Sequence, residues 1–239
     1  MFDILGDIHS SYAELCAMLI KLGYSDSVRP EGRTLVFTGD YLDRGINPVD
    51  TIALVMTMFQ NGVAIGVIGN HCDKLKRYLK GNKVTPSHGL ADTIAKLEAQ
   101  GKGFTDNVLA FLEKLPIELS LDSGKLLVSH AGLPSHLQGK TNGTAKSHAM
   151  FGDVDGKSKD AQGYPVRKDW AQNYCGNPIV VHGHTPTEQP RCVNNVWAID
   201  QGAVFGGSLT CLRYPEMEIV QVKAARNYTD IQKFGSDTA

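Results

Sequence analysis

Residues 35–45 read LVFTGDYLDRG, and this stretch decides the fold. Leu35, Val36 and Phe37 have the character of a buried strand. Asp40, Asp43 and Arg44 follow at once, spaced by Gly39 and Gly45. Burying a charge without a partner is costly. Either these groups face solvent in an ordinary loop, or something at the strand end requires them. Working outward, the same pattern recurs. ILGDIH ends at Asp7 and His9, AIGVIGNH at Asn70 and His71, LLVSHAG at His130, and IVVHGH at His182 and His184. Each is an apolar run closed by a metal-ligand residue type beside a glycine.

Taken singly, each ending has an ordinary reading: a solvated loop, or a hydrogen-bonded core histidine. Five of them in series point to one site. Ligands in α/β sheets gather outside the carboxyl ends of strands. Imidazoles with carboxylates and an amide oxygen make a mixed nitrogen and oxygen set. Such a set suits Mn, Fe, Zn, Ni or Co and lacks the thiolates of structural zinc. The number of ligands fits two ions, and a pair about 3.5–4 Å apart needs a bridging carboxylate, for which Asp40 is the natural candidate. Two adjacent cations would favour the ionised form of a buried Asp40.

The chain has 239 residues, enough for a substantial core, and is read as one domain spanning 1–239. Lys and Arg number 24 against 25 Asp and Glu, so no global field draws it to nucleic acid or membrane. No apolar run approaches the ~20 residues of a membrane span, and the start shows no signal-peptide pattern. Five cysteines without CxxC spacing argue against a disulfide framework and for a reducing cytoplasm.

The periodicities predict strands at 2–8, 34–39, 63–69 and 178–184, and a hairpin across IELSL and KLLVSH turning at Asp122-Ser123-Gly124. They predict helices after Ser11 and over 48–59, 72–80, 87–100 and 105–115. Ser11 with Glu14 fits a capping box, and Asn47 fits a cap ahead of Pro48. Residues 139–163 read as a long polar loop, a candidate mobile lid. From Val196 to Val222 the pattern is mostly strand, broken at Gly206-Gly207. The βαβαβ order followed by β-rich sequence predicts an α/β fold with a second sheet.

GDIHS, GDYLDRG, IGNHC, SHAG and HGHT, in this order, resemble the signature of the metallophosphoesterases, and GDxxDRG the phosphoprotein-phosphatase-like branch. KLKRYLKGNKVTPSHGL, FGDVDG, RKDWAQNYCG, GHTPTEQPR and IDQGAVFGGSLTCLRYPEMEIV extend the resemblance over nearly the whole chain. They are similar to bacterial diadenosine tetraphosphatases and to the phosphatase domain of bacterial polynucleotide kinase-phosphatases. The resemblance implies two facing β-sheets flanked by helices, the calcineurin-like fold. It implies one metal on Asp7, His9 and Asp40, and another on Asp40, Asn70, His130 and His184, with manganese foremost. It implies attack by a metal-activated water, with His71 as general acid held by Asp43, and Arg44 gripping phosphate. Asp200 matches a family aspartate near the site, and His182 falls where many relatives carry an apolar or aromatic residue. Three positions depart from the wider pattern: Ser10 for Gly, Cys72 for the Glu of protein phosphatases, and Gln201 for Thr. The second favours nucleotide cleavage.

For the substrate, Lys74, Lys76, Arg77, Lys80 and Lys83 follow the proposed acid, with Lys76, Lys80 and Lys83 on one helical face. That face is either a solvated surface or a basic rim for a polyanion. Arg167 is a candidate second phosphate clamp and substrate-binding residue, beside Asn70 and Arg44. Trp170 is read as core before base-stacking. There is no P-loop and no basic, aromatic stripe for nucleic acid. The expected partner is therefore a small dinucleotide of the diadenosine tetraphosphate type. The alternatives are a phosphoprotein or a polynucleotide or cyclic-phosphate end. No membrane partner is expected.

Overall fold

The oily runs become short strands whose polar tips collect at one rim. The structure is a computed structural model that describes residues 1–159 and 165–234. In chain order the strands are β1 (Phe2–Leu5), β2 (Thr34–Phe37), β3 (Ala64–Gly66), β4 (Glu118–Leu121), β5 (Leu126–Ser129), β6 (Val154–Lys159), β7 (Pro165–Arg167), β8 (Ile179–His182), β9 (Arg191–Val193), β10 (Val196–Ala198), β11 (Ser208–Tyr214) and β12 (Glu218–Lys223). The α-helices are α1 (Tyr12–Leu22), α2 (Pro48–Gln60), α3 (Asn70–Leu79), α4 (Leu90–Glu98), α5 (Lys102–Lys114) and α6 (Gly143–Phe151).

One sheet has the order β12-β11-β1-β2-β3 and the other β4-β5-β8-β10-β9. β1, β2 and β3 run parallel, as do β5, β8 and β10. Ile4, Val36 and Leu212 of the first sheet share one buried cluster with Leu126, Val128 and Val181 of the second. The sheets therefore pack face to face. Leu15, Met18, Ile52, Val55 and Leu75 bury helices α1, α2 and α3 against the outer face of the first sheet. Its central strands are covered on both sides, which is why they read as unbroken apolar runs. The expected pair of facing sheets flanked by helices is what the chain forms. In both sheets the parallel strands point their carboxyl ends at the same rim, so tips far apart in sequence meet.

Three local expectations give way. Ser11 makes no side-chain cap on α1. Glu14 is instead buried and accepts from Ala225 N at 3.1 Å and Tyr228 Oη at 2.8 Å, tying down the C-terminal segment. Asn47 likewise makes no capping bond, and its amide donates to Asp50. Residues 139–163 are not one loop: α6 and β6 lie inside it, and 160–163 fall outside the described residues. Asn142 Oδ1 caps α6 by accepting from Ala145 N at 2.9 Å, and Ala145, Ala149 and Met150 are its buried face. Two alanines and one methionine give too weak an apolar signal to show through the polar composition.

The amino end of the first sheet carries a buried ionic network. Asp3 is fully buried and accepts from Arg33 Nη2 at 2.6 Å, Tyr24 Oη at 2.7 Å and Arg213 Nε at 3.1 Å. Removing one partner of a buried pair strands the other charge, at a cost of about 3–5 kcal/mol. Asp3→Ala is expected to lower urea-unfolding stability by that amount. A loss under about 1 kcal/mol, the scale of a surface pair, would show that the network contributes little.

Candidate active site

The turns after the strands hold the site in a conformation most residues avoid. His9, Asp40, Asp43, Arg44 and His184 have φ of 48°, 40°, 71°, 65° and 70°. Non-glycine residues held in the left-handed region store strain, and such strain gathers at functional sites. Backbone bonds lock two of these turns together: His9 N donates to Asp40 O, and Ser10 N to Tyr41 O, both at 2.9 Å. Gly39 has φ 113°, and a Cβ there would lie 2.8 Å from Gly69 N and 3.1 Å from His130 Nδ1. Glycine at this position lets the ends of β2, β3 and β5 close on one another.

The side chains converge accordingly. His130 Nδ1 faces the Thr38 carbonyl at 3.2 Å, which can only accept, so Nδ1 carries a proton. In the neutral ring Nε2 then offers a lone pair. It points at two acceptors, Asn70 Oδ1 at 3.0 Å and Asp40 Oδ2 at 3.3 Å, and lies 3.0 Å from His184 Nδ1. His9 repeats the logic. Its Nδ1 donates to Leu42 O at 2.9 Å, leaving Nε2 aimed at Asp40 Oδ2, 3.8 Å away. Converging lone pairs repel unless a cation sits among them. The donors therefore fit divalent metal, and Asp40 is common to both compact groups, Asp40–His130–His184 and His9–Asp40–His71. Asp7 stands slightly apart, accepting from Thr38 Oγ1 at 3.1 Å and His184 N at 3.0 Å, with Oδ1 3.8 Å from His130 Nδ1.

The electrostatics show the same tension. Burial pushes the Asp7 carboxyl well above the usual carboxylate range. Burial acts on Asp40 the same way, but His130, His71 and His9 outweigh it and hold its carboxyl well below that range. Burial and its cationic neighbours depress His9 and His184 far below an ordinary imidazole. His130 goes the other way: burial alone would lower it, yet Asp40 and Asp7 lift it to about 9. Asp200 is buried nearby and pushed up to about 6 by desolvation.

Beside this cluster, His71 Nδ1 donates to Asp43 Oδ2 at 2.7 Å, and Asp43 is fully buried. His71 Nε2 faces Arg44 Nη2 at 3.4 Å, and the Arg44 guanidinium lies 5.2 Å over the Phe205 ring. His71 N donates to Asp40 Oδ1 at 2.9 Å, so the start of α3 is fixed to the same carboxylate. Arg167 reaches in from the far wall, with Nη2 3.0 Å from His184 Nε2.

These groups open into a cleft of about 660 Å³. The expected basic face divides. Lys76 pairs with the half-buried Asp73, itself a cleft residue, and Lys80 with Glu113 on the surface, whereas Lys74, Arg77 and Lys83 line the cleft. Lys83 lies beyond the end of α3, so helical spacing does not describe it. Sequence reasoning misses His88 and Phe205 in the cleft wall. The only trace of His88 is Gly89 beside it, where a Cβ would strike the Arg44 backbone. His182 and Trp170 are outside the cleft and line a smaller cavity next to it. Trp170 is half-buried and packs edge-on against Tyr174 and His148, so the core reading holds for most of its surface.

Two sheets that bring histidines, carboxylates and an amide to a shared rim form a metal-dependent phosphoester-cleaving scaffold. The calcineurin-like phosphoesterase family model matches residues 1–207, and the chain belongs to that family of metal-dependent hydrolases. It is 41% identical over 236 residues to a protein of Anoxybacillus flavithermus, covering 95% of this chain and 96% of the relative. A Bacillus subtilis relative is also 41% identical, with 96% and 97% covered. Both relatives are named bis(5′-nucleosyl)-tetraphosphatase PrpE (asymmetrical). A crystal structure provisionally named a diadenosine tetraphosphatase shares the fold at TM-score 0.67 and 23% identity, over 93% of each chain. A yeast serine/threonine phosphatase shares it at TM-score 0.62 and 14% identity, over 93% of this chain and 79% of that one. The fold alone therefore serves both small-molecule and protein phosphatases.

Proposed function

We propose that the chain hydrolyses dinucleoside tetraphosphates of the diadenosine tetraphosphate type into unequal halves, in a reducing cytoplasm, with manganese as its metal. The cleft carries this reading. Lys74, Arg77 and Lys83 line it together with Arg44 and Arg167, giving a polyphosphate chain cationic neighbours along its length. The names of the near-full-length relatives agree.

Asp7, His9 and Asp40 would hold one ion, and Asp40, Asn70, His130 and His184 the other. When bound, such a pair polarises a phosphoryl oxygen and lowers the pKa of water. The protein does the rest. Arg44, held over Phe205, offers a planar fork to phosphate oxygens. Arg167 offers a second. Asp43 accepts from His71 Nδ1 and fixes the ring, so that in the imidazolium form the second proton sits on Nε2, on the cleft side. As water's oxygen bonds to phosphorus and the P–O bond to the departing phosphate breaks, that proton passes to the leaving oxygen.

His130 gives this reading a pH signature. Its metal-free value of about 9 lies above the ordinary 6.5. The protonated ring thus stabilises the metal-free fold fully below the lower value, and that contribution disappears as pH rises to the upper one. Ligation needs the neutral ring, so binding expels the proton. Manganese affinity is expected to rise with pH up to about 9. Calorimetry near neutral pH in buffers of different ionisation enthalpy should show at least one proton released, that of His130 together with any the raised Asp7 carboxyl still holds. No release would remove His130 from the ligand set.

The test of function is competitive. Chelator-stripped protein is given Mn²⁺, Ni²⁺ or Zn²⁺, and kcat/KM is compared for diadenosine tetraphosphate, phosphotyrosine and phosphoserine peptides, and a 2′,3′-cyclic nucleotide. Preference for the tetraphosphate, with AMP and ATP as products, supports the reading. Preference for a peptide overturns it, and two ADP would overturn the unequal cleavage.

A further inference from the structure

The second sheet leaves part of its outer face uncovered. Val180, Val196 and Leu127 on that face are sealed by α6 and by the turn around Ala171 and Tyr174. His182 and Ala198, partners in register at the ends of β8 and β10, lie beyond that cover. A cavity of about 200 Å³ opens over them, walled by Trp170 and Val193. That is well below the ~300–1,000 Å³ of sites for drug-sized ligands, so it suits one ring system and not a whole nucleotide. Thr185 and Arg167 line both this cavity and the main cleft, so the two are neighbours.

Its lining sets Trp170, Ala171, Val193, Val196 and Ala198 against Asp153, Lys168, Thr187 and His182. His182 is 9% exposed, and its Nδ1 sits 3.0 Å from the Gly183 carbonyl, which fixes Nδ1 as the donor. In the neutral ring Nε2 is then an acceptor, and it has no hydrogen-bond partner among the described residues. Trp170 lies 5.9 Å from the His182 ring and cannot retreat, because it already packs on Gly132. Arg191 at the wall is paired with Asp169, and Arg167 on the side shared with the main cleft is where a nucleotide's phosphates would lead away from the base. An aromatic wall, an apolar floor and the unpaired His182 acceptor between them match a planar base that carries an exocyclic amino group.

We infer that this cavity seats the amino-purine base of one nucleoside, with Trp170 as its wall and His182 Nε2 accepting from the amino group. The inference rests on the dinucleotide reading above. It makes His182 a specificity-determining residue, one that phosphate chemistry alone would not require.

The test compares kcat/KM for diadenosine tetraphosphate with its hypoxanthine analogue, the same shape with the amino group replaced by an oxo group. Wild-type protein is expected to prefer adenine about tenfold, the scale of one hydrogen bond with its unmet counterpart. His182→Phe keeps a ring and removes the acceptor, and should bring the ratio near one. Because both substrates meet the same metal site, the ratio is insensitive to damage there. A wild-type ratio near one overturns the inference and leaves the dinucleotide activity standing. So does a ratio that His182→Phe leaves unchanged. Failure to cleave either dinucleotide while p-nitrophenyl phosphate is hydrolysed overturns the parent reading, and this one with it. As a check that needs no turnover, AMP should alter Trp170 fluorescence more than IMP does. Equal responses, or none, count against the base site.

Discussion

Asp40→Asn is expected to lower kcat/KM for a dinucleoside tetraphosphate by about 10⁴ or more and to bring bound metal below two ions per chain. The substitution keeps the volume and leaves an oxygen able to accept from His71 N. What it removes is charge. Asp40 Oδ2 stands 3.3 Å from His130 Nε2 and 3.8 Å from His9 Nε2, and among the described residues it is the carboxylate oxygen facing both halves of the cluster. A neutral amide bridges two dications poorly, so at least one ion should be lost. Metal ions supply several kcal/mol of transition-state stabilisation, and each ~1.4 kcal/mol is a factor of ten. Elemental analysis and kinetics on the same preparation decide the matter. Two retained ions with less than a tenfold loss would mean Asp40 is a buried structural carboxylate, and the ligand assignment would have to be rebuilt around Asp7.

The convergence at Asp40 is legible in the sequence because each contributing signal is local. A parallel strand buried on both faces is an apolar run, and the polar residue just beyond it must turn out at the sheet edge. Asp7, His9, Asp40, Asn70, His130 and His184 are all such residues, so reading the tips one by one assembled the candidate site. The second sheet is legible in the βαβαβ order followed by β-rich sequence, whereas its facing the first comes only from the family resemblance. Nothing local says which sheet a strand joins, but two sets of parallel strands can bring their tips to one rim only if the sheets align.

The features that escaped depend on distant partners or weak patterns. Glu14 has the spacing of a capping box, yet its carboxylate is taken by Tyr228 and Ala225 from the other end of the chain. Lys76 and Lys83 share a face only if the helix continues, and α3 stops at Leu79. The helix inside residues 139–163 hides because small residues bury it. The cavity over His182 arises from where the cover on the second sheet ends. That is a property of packing, and a strand pattern such as IVVHGH cannot carry it.

His71→Asn separates two geometries that the structure holds side by side. His71 is bonded to the buried Asp43 at 2.7 Å, as an oriented proton donor would be. It also forms a compact group with His9 and Asp40 that could hold an ion. As general acid, His71 matters most when the leaving oxygen needs a proton. The variant should then lose about 10²–10³ in kcat on a substrate with a poor, basic leaving group. It should lose far less on p-nitrophenyl phosphate, whose leaving group departs unprotonated, and metal content should stay at the wild-type level. As a ligand, its loss would lower metal content and depress both substrates alike. Asp43→Asn sharpens the distinction. It leaves the His71 ring in place but removes the negative charge that stabilises the imidazolium, so it should reproduce the leaving-group dependence at smaller amplitude. If both variants lose metal and neither discriminates between leaving groups, the proton must come from elsewhere. His88, whose ring lies 6.2 Å from that of His71 in the cleft wall, would be the next residue to examine.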